Sequence, residues 1–520
     1  MVKFVLSILL VLLAIILQPA FSQNIEISHT GNPTEPSIMM DPNNPDILVA
    51  GSNLNYFYLS NNGGQSWSIH TLTSPYGVWG DPVIDVDTEG NFYFFHLSNP
   101  PSGNWIDRII CQKSTNNGSN WSDGTFTGLN GTKAQDKQWS VVDRSNNNIY
   151  LTWTQFDNYG SENPSDISII LFSKSVDGGD TWSTPKRINK VGGDCIDSDN
   201  TVEGAVPAVG PNGEIYVAWA GPNGIVFNRS MDQGETWLEE EILVDPMPGG
   251  WDYAIPSIYR ANGLPVTKCD LSGGPNHGAI YINWSDQRNG EENTDIWLSK
   301  SVDGGDTWSS PIRVNDDDSD HHQFFSWMDI DQTNGNLYFV FYDRRNYSNS
   351  KTDVYLASSN DGGISFANWK ISESPFLPNS GVFFGDYTNI VAHDNIVRPI
   401  WTRLNNGSLS IWTDITPLDN EEIVNGIRES KIEHNIEHYP NPASEMSYVS
   451  FKLHTLSKVS LYLYNEKGQV VQTILDNKEM SYGKYVLPVN LDEAGLKAGV
   501  YLFKLSINGQ SETLRTFVID

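Results

Sequence analysis

Apolar and polar residues alternate along most of this chain in short runs broken by Gly, Asn, Asp and Pro, the period-two pattern of half-buried strands joined by turns. A larger unit is built from these runs: a loop carrying Pro or a bulky residue, a strand, a Gly/Asn turn, and a second strand ending in an aromatic. Pro82-Val83-Ile84-Asp85-Val86 with Asn91-Phe92-Tyr93-Phe94-Phe95 is one instance. Pro207-Ala208-Val209 with Glu214-Ile215-Tyr216-Val217-Ala218-Trp219 is another.

Between these units an eight-residue pattern recurs, Ser-x-Asp/Asn-x-Gly-x-Thr/Ser/Asn-Trp/Phe. It is read at Ser60 to Trp67, Ser114 to Trp121, Ser175 to Trp182, Ser230 to Trp237, Ser301 to Trp308 and Ser359 to Phe366. Repetition at roughly 55 to 70 residues marks a propeller or array, because one unit cannot bury its own apolar face. Within the pattern the Asp or Asn can accept bonds from backbone N–H groups ahead of it, the Gly supplies a positive φ, and the aromatic buries the hairpin. The repeat is therefore structural. It resembles the Asp-box, or BNR repeat, of the sialidase superfamily. That resemblance implies a β-propeller with the boxes between its outer strands, on the face opposite a ligand site.

Each unit reads as strands A and B, then C running into the box, then D. First strands begin near Pro36, Pro82, Trp139, Pro207, Pro256, Phe325 and Tyr387, which predicts seven blades, with six the alternative. The last unit has strands at Asn389 to Ala392, Val397 to Thr402 and Leu409 to Asp414 but no box and no D strand. Asn24 to His29 is expected to supply it and remove a sheet edge. The fold class is all-β: a propeller followed by a small C-terminal β-sandwich.

Lys3, the apolar run Phe4 to Leu17 and Ala20-Phe21-Ser22 read as a secretory signal over residues 1–22, too short to span a bilayer. The propeller is assigned to 23–415 and a polar linker to 416–435. From 436 to 520 the sequence resembles the C-terminal sorting domain of type IX secretion substrates, on Tyr439-Pro440-Asn441-Pro442-Ala443, on Leu461-Tyr462-Leu463-Tyr464-Asn465 with Gly468, and on Leu496 to Leu505 as the run into a last strand. The resemblance implies a Bacteroidota-type bacterium, the type IX machinery as partner, and a product that is secreted or attached at the cell surface, with no transmembrane segment.

Three cysteines, Cys111, Cys195 and Cys269, leave no disulfide framework. A net charge of −31 argues against binding nucleic acid or anionic membranes, and an anionic glycan would need a local basic patch.

Loops that precede first strands and follow second strands converge on one propeller face, where ligands bind. They carry Asp81, Glu203, Tyr253, His322, Asp386 and Tyr387, together with Glu35, Asp136 and Lys137. The sialidase resemblance implies Asp81 as acid/base, Glu203 as the activating Glu and Tyr387 as nucleophile, with Arg288, Arg345 and Arg403 as substrate clamps. The family's F/Y-R-I-P motif is absent, since the corresponding stretch reads Asn32-Pro33-Thr34-Glu35-Pro36. A lyase reading instead takes a base and a neutralising group from His321, His322, Tyr253 and Tyr387. Asp286-x-Arg288 and Asp343-x-Arg345 also fit fold-stabilising bridges, with Asp295 and Asp353 nearby; Arg403 lacks such a repeat partner. His321 and His322 follow an acidic run that suits a solvated loop or a weak Ca²⁺ site. No zinc motif or phosphate loop occurs, and no cofactor is expected. Two functions follow: a secreted glycosidase-like or polysaccharide lyase-like enzyme acting on an extracellular, acidic glycan, or a surface propeller that binds glycan or protein.

Overall fold

The computed structural model describes residues 23–405, 407–417, 437–453, 457–465, 467–480, 483–491, 496–507 and 510–519; the expected signal sequence and nearly all of the expected linker lie outside them. Regular structure among the described residues is β throughout. The chain divides into two compact units, Met1–Gly426 and Ile427–Asp520.

The first unit holds seven four-stranded antiparallel sheets. Their first strands are Ser37–Met40, Gly80–Val86, Ala134–Asp143, Glu203–Val209, Val266–Cys269, Gln323–Asp331 and Asn389–His393. Each of these strands packs beside the next, and Asn389–His393 packs beside Ser37–Met40. Several second strands, Phe92–Leu97 and Ile215–Gly221 among them, are buried along their whole length. Sheets on both sides cover them, so they read as continuous apolar runs instead of alternating ones.

The seventh sheet takes three strands from Asn389 onward and its fourth from the other end of the unit: Asn24–Ser28 pairs with Ser408–Asp414, Asn24 opposite Asp414 and Ser28 opposite Ile411. One strand start differs from the sequence reading. The fifth sheet begins at Val266, not near Pro256, because the stretch before it folds as a separate hairpin of Asp252–Tyr253 with Ala261–Asn262.

The six boxes share one hydrogen-bond scheme. In the third, Ser175 Oγ donates to Asp177 Oδ1 at 2.8 Å, Gly179 N donates back to Ser175 Oγ at 2.8 Å, and Thr181 N donates to Asp177 Oδ1 at 2.9 Å. The Gly at the fifth position of a box also meets the preceding sheet: a Cβ on Gly234 would lie 2.2 Å from Phe172, and one on Gly305 2.2 Å from Phe227. A cation from the preceding sheet caps the carbonyl just before that Gly. Lys174 Nζ reaches Gln233 O at 2.9 Å, Arg229 Nη1 reaches Gly304 O at 2.6 Å and Lys300 Nζ reaches Gly362 O at 3.2 Å. The seventh sheet treats the first box alike, through Arg398 Nε to Gly63 O at 2.8 Å.

The second unit is made of a three-stranded and a four-stranded sheet around Val449, Phe451, Leu461, Leu463, Phe503 and Leu505. The run from Leu496 enters Gly499–Ile507, which is not the last strand: Gln510–Val518 follows and pairs with it. Among the described residues no helix is long and apolar enough to cross a membrane.

Candidate functional site

A backbone device builds the site. In four sheets the first strand breaks register by a bulge, between Gly80 and Val83, Asp136 and Trp139, Glu203 and Val206, and Phe324 and Trp327. The first bulged residue is left-handed in every case: Asp81 at φ 50°, Lys137 at 49°, Gly204 at 75° and Phe325 at 51°. Glu35, just before the first sheet, lies at φ 53°. Side chains other than Gly rarely adopt this conformation, which costs about 1–3 kcal/mol and collects where a fold must aim a side chain. Two positions further on stand Trp139 and Trp327, with Tyr387 beside them. Their rings lie 4.3 Å (Trp139–Trp327) and 5.1 Å (Trp139–Tyr387) apart. A space of ≈ 20 Å³, room for about one water, adjoins them beside Lys137 and Gly204, and a separate cavity of ≈ 340 Å³ is lined by Trp139 and Trp327 together with Ile84, Val142, Val209 and Ile390.

Three of the left-handed side chains meet above this aromatic plug. Lys137 Nζ lies 2.7 Å from Asp386, 3.5 Å from Asp81 and 3.9 Å from Glu35. Burial opposes the lysine's charge, but these carboxylates and Asp136 outweigh it and hold its pKa well above the ordinary value. Arg260 completes the cage by bonding both oxygens of Asp386 and reaching Asp197 at 3.3 Å. Burial would raise the Asp386 pKa, yet Lys137 and Arg260 together hold it below the ordinary range. Lys137 is therefore neutralised inside the protein, while Arg260, paired with Asp386 and Asp197, keeps 39% of its side chain exposed.

The other acids go the opposite way. Burial, then Asp81, raises Glu35 well above a normal Glu; its Oε1 has no hydrogen-bond partner, while Asn53 donates to Oε2. Burial, reinforced by Asp81 and Asp197 and opposed by Lys137, pushes Asp136 up to about 7. Glu203 is fully buried and raised by burial and by Asp197. As a carboxylate it would leave both oxygens unpartnered. As a neutral acid it has a proton to offer Asp197, which already accepts the Tyr159 hydroxyl at 2.6 Å.

Above this cage opens a cleft of ≈ 340 Å³ whose lining includes Glu35, Asn53, Asp81, Asp136, Lys137, Arg260 and Phe383. Trp79 and Trp105 stand on its wall, 37% and 43% exposed, edge to face at 5.9 Å, with Tyr159 5.5 Å from Trp105. Large exposed Trp rings beside ionisable groups are expensive to leave in water unless something covers them.

Of the expected site residues, Asp81 lines the cleft, and Asp386 and Tyr387 lie just beneath it. Glu203 lies behind the cleft wall. Tyr387 is buried in the plug with its hydroxyl unbonded, and burial followed by Asp81 and Glu35 raises its pKa well above normal. Tyr253 is tied to Asn262 O at 3.0 Å and Ser285 Oγ at 2.6 Å. His322 is buried against Thr294, and burial and Arg344 lower it to about 4, so it is neutral. Arg288 is held by Asp286 and by Asp245 at 2.8 Å, Arg345 by Asp343 and by Asp316 at 2.6 Å; each bridge draws its second carboxylate from the end of the preceding sheet's last strand or just after it, in place of Asp295 and Asp353. Arg403 donates to Ser374 Oγ at 2.7 Å and stacks on Trp412, away from the cleft. Sequence reasoning missed Arg260, which lies in the unforeseen hairpin, and placed Lys137 on this face without giving it a role. Among the described residues no three His, Cys, Asp or Glu are placed to hold a metal ion.

Comparison with known proteins settles the second unit. Residues 437–520 match the secretion system C-terminal sorting domain. These residues carry the sorting signal of type IX secretion, which addresses the chain to the cell surface or beyond it. No curated protein matches the chain. Solved structures similar to it include a Hadza microbial sialidase (14% identity, 72% of this chain and 75% of that one, TM-score 0.40). The NanB sialidase from Streptococcus pneumoniae (11%, 72% and 82%, 0.42) and a polysaccharide lyase of family PL25, an ulvan lyase (15%, 76% and 95%, 0.45), are others.

Proposed function

We propose that the secreted unit is a closed seven-bladed propeller that cleaves an extracellular glycan in the cleft above Lys137, as a glycoside hydrolase. The fold reading is supported by seven sheets whose first strands are neighbours all the way round, with the seventh completed from the N-terminal end. The functional reading is carried by one observation: two exposed tryptophans share an open cleft with the carboxyl groups of Asp81 and Asp136. Trp faces stack on the C–H faces of sugar rings. A carboxyl group poised near pH 7 can protonate a glycosidic oxygen while a second carboxylate serves as base or nucleophile. Asp136 takes the acid role and Asp81 the second. Tyr387 is not assigned the nucleophile's role, because it is sealed in the plug with no base bonded to its hydroxyl.

The test is a screen of the protein for reducing-end release on a panel of polysaccharides, with Asp136→Asn and Trp79→Ala as controls. Turnover lost in Asp136→Asn and weakened binding in Trp79→Ala are expected. Binding that survives in both variants with no turnover by the parent would favour the non-catalytic binder.

A further inference from the structure

The charge balance of the cleft bears on which glycan fits it. Three carboxyl groups line it, Glu35, Asp81 and Asp136, and two more, Asp386 and Asp197, lie directly behind. Against these stand two cations. Lys137 is enclosed by Asp386, Asp81 and Glu35, and Arg260 has its guanidinium on Asp386 and Asp197. Arg260 also lies over the ring of Phe383, 5.2 Å from its centre, which fixes it further. A ligand carboxylate would have to take one of these cations from its acid while standing among the others, so the basic patch that an acidic glycan needs is not present in the cleft.

A cation meets the reverse situation. Trp79, Trp105 and Tyr159 form three sides of an aromatic corner, and tryptophan is the best side-chain face for an ammonium group. Glu35, 1% exposed and lining the cleft, has no hydrogen bond on Oε1, whose facing cation, Lys137 Nζ, stands at 3.9 Å. Buried polar atoms are almost always hydrogen-bonded, so this oxygen is left able to accept a donor brought by the ligand.

Resting on the glycan reading above, we propose that the ligand is a glycan bearing free amino groups, its ammonium held between the aromatic corner and the carboxyl groups of Asp81 and Glu35. N-acetylation would remove the charge, and a uronate would reverse it.

Calorimetric titration of the full chain separates the possibilities with four probes: a β-linked glucosamine oligomer, the same oligomer N-acetylated, a uronic acid oligomer, and choline as a cation without a sugar. The glucosamine oligomer is expected to bind at least tenfold more tightly than its acetylated form, choline to bind measurably, and the uronate not at all. Asp81→Asn should weaken the glucosamine oligomer and choline at least tenfold. Asn is at ease at left-handed φ and keeps the backbone hydrogen bonds of residue 81, but it removes the carboxylate 3.5 Å from Lys137 Nζ, so the melting of the variant is measured beside the parent and binding is compared where both are folded. Acetylated or uronate oligomers binding as well as the amine, with choline silent, would overturn the cation site and leave the glycan reading standing. Choline bound in an Asp81-dependent way with no oligomer preferred would uphold the cation site and sink the glycan reading. Silence from all four probes would reject both.

Discussion

Lys137 Nζ donates to Asp386 Oδ2 at 2.7 Å across 249 residues of sequence, joining the third sheet to the loop that leads into the seventh. Both side chains are buried, and each shifts the other's proton affinity toward the charged form. The pair sits over the aromatic plug, where leaving one charge without its partner is costly.

Lys137→Met should therefore destabilise the protein by about 3–5 kcal/mol, the usual cost of stranding one buried charge, with Asp386 left to Arg260 and Asp81 and Glu35 left to repel each other. The double variant Lys137→Met, Glu35→Gln should recover part of this. Chemical denaturation of the parent, both single variants and the double decides; additive losses would show that the two residues do not act as a unit.

Asp136 sets a pH dependence. Its folded pKa is raised, to about 7, so the folded state holds a proton that the unfolded state has lost, and its contribution to stability falls as pH rises from about 4 to about 7. Asp136→Asn should flatten the fall in melting temperature over that window. If Asp136 is the general acid, turnover should decline above pH 7, and the substitution should reduce it by about 10²–10⁴-fold.

Gly234→Ala tests the joints between sheets. The added Cβ would meet Phe172 at 2.2 Å in a backbone held at φ +84°, so a loss of about 3 kcal/mol or more is expected. Gly273→Ala, with open space around it but also at positive φ, serves as the comparison and should cost about 1 kcal/mol. Equal melting of the two would mean that the box does not bear on the preceding sheet.

Removing residues 437–520 should leave the cooperative melting of the first unit unchanged, since the two units are compact separately, and should abolish delivery to the cell surface or medium. Fractionation of cells carrying the truncated chain is the measurement. Undiminished surface delivery would show that another signal directs export.

The parts of this protein that could be read in its sequence are those whose bonds are local. Each box closes on itself within a few residues, as Asp177 does with Ser175 and Thr181, so the pattern names its own structure. The pairing of Asn24–Ser28 with Ser408–Asp414 was legible for a different reason: the last unit lacked a strand and the first had one spare. Pro256 misled because it resembles the Pro at other strand starts while sitting in an inserted hairpin. The site was legible only in part. Asp81 and Asp386 were found from their place before a strand, but Arg260 is joined to Asp386 across 126 residues, and no local pattern marks it. Arg403 stood out for lacking a repeat partner; its contacts are Ser374 and Pro375, from a loop whose path the repeat does not encode, and Trp412 on the neighbouring strand.

The left-handed bulge separates direction from identity. Its backbone decides where a side chain goes, and the residue placed there decides what chemistry arrives, so Glu35, Asp81, Lys137 and Phe325 differ completely while the strands beneath them do not. Specificity in such a molecule can drift one sheet at a time without refolding anything. Gly204 is the vacant seat in that series, and Leu264 guards it, since a Cβ there would come within 2.7 Å of the leucine. A paired change, Leu264 to something smaller with Gly204 to Asn or Asp, is the shortest route by which this scaffold could gain a fresh polar group beside Trp139 and Tyr387.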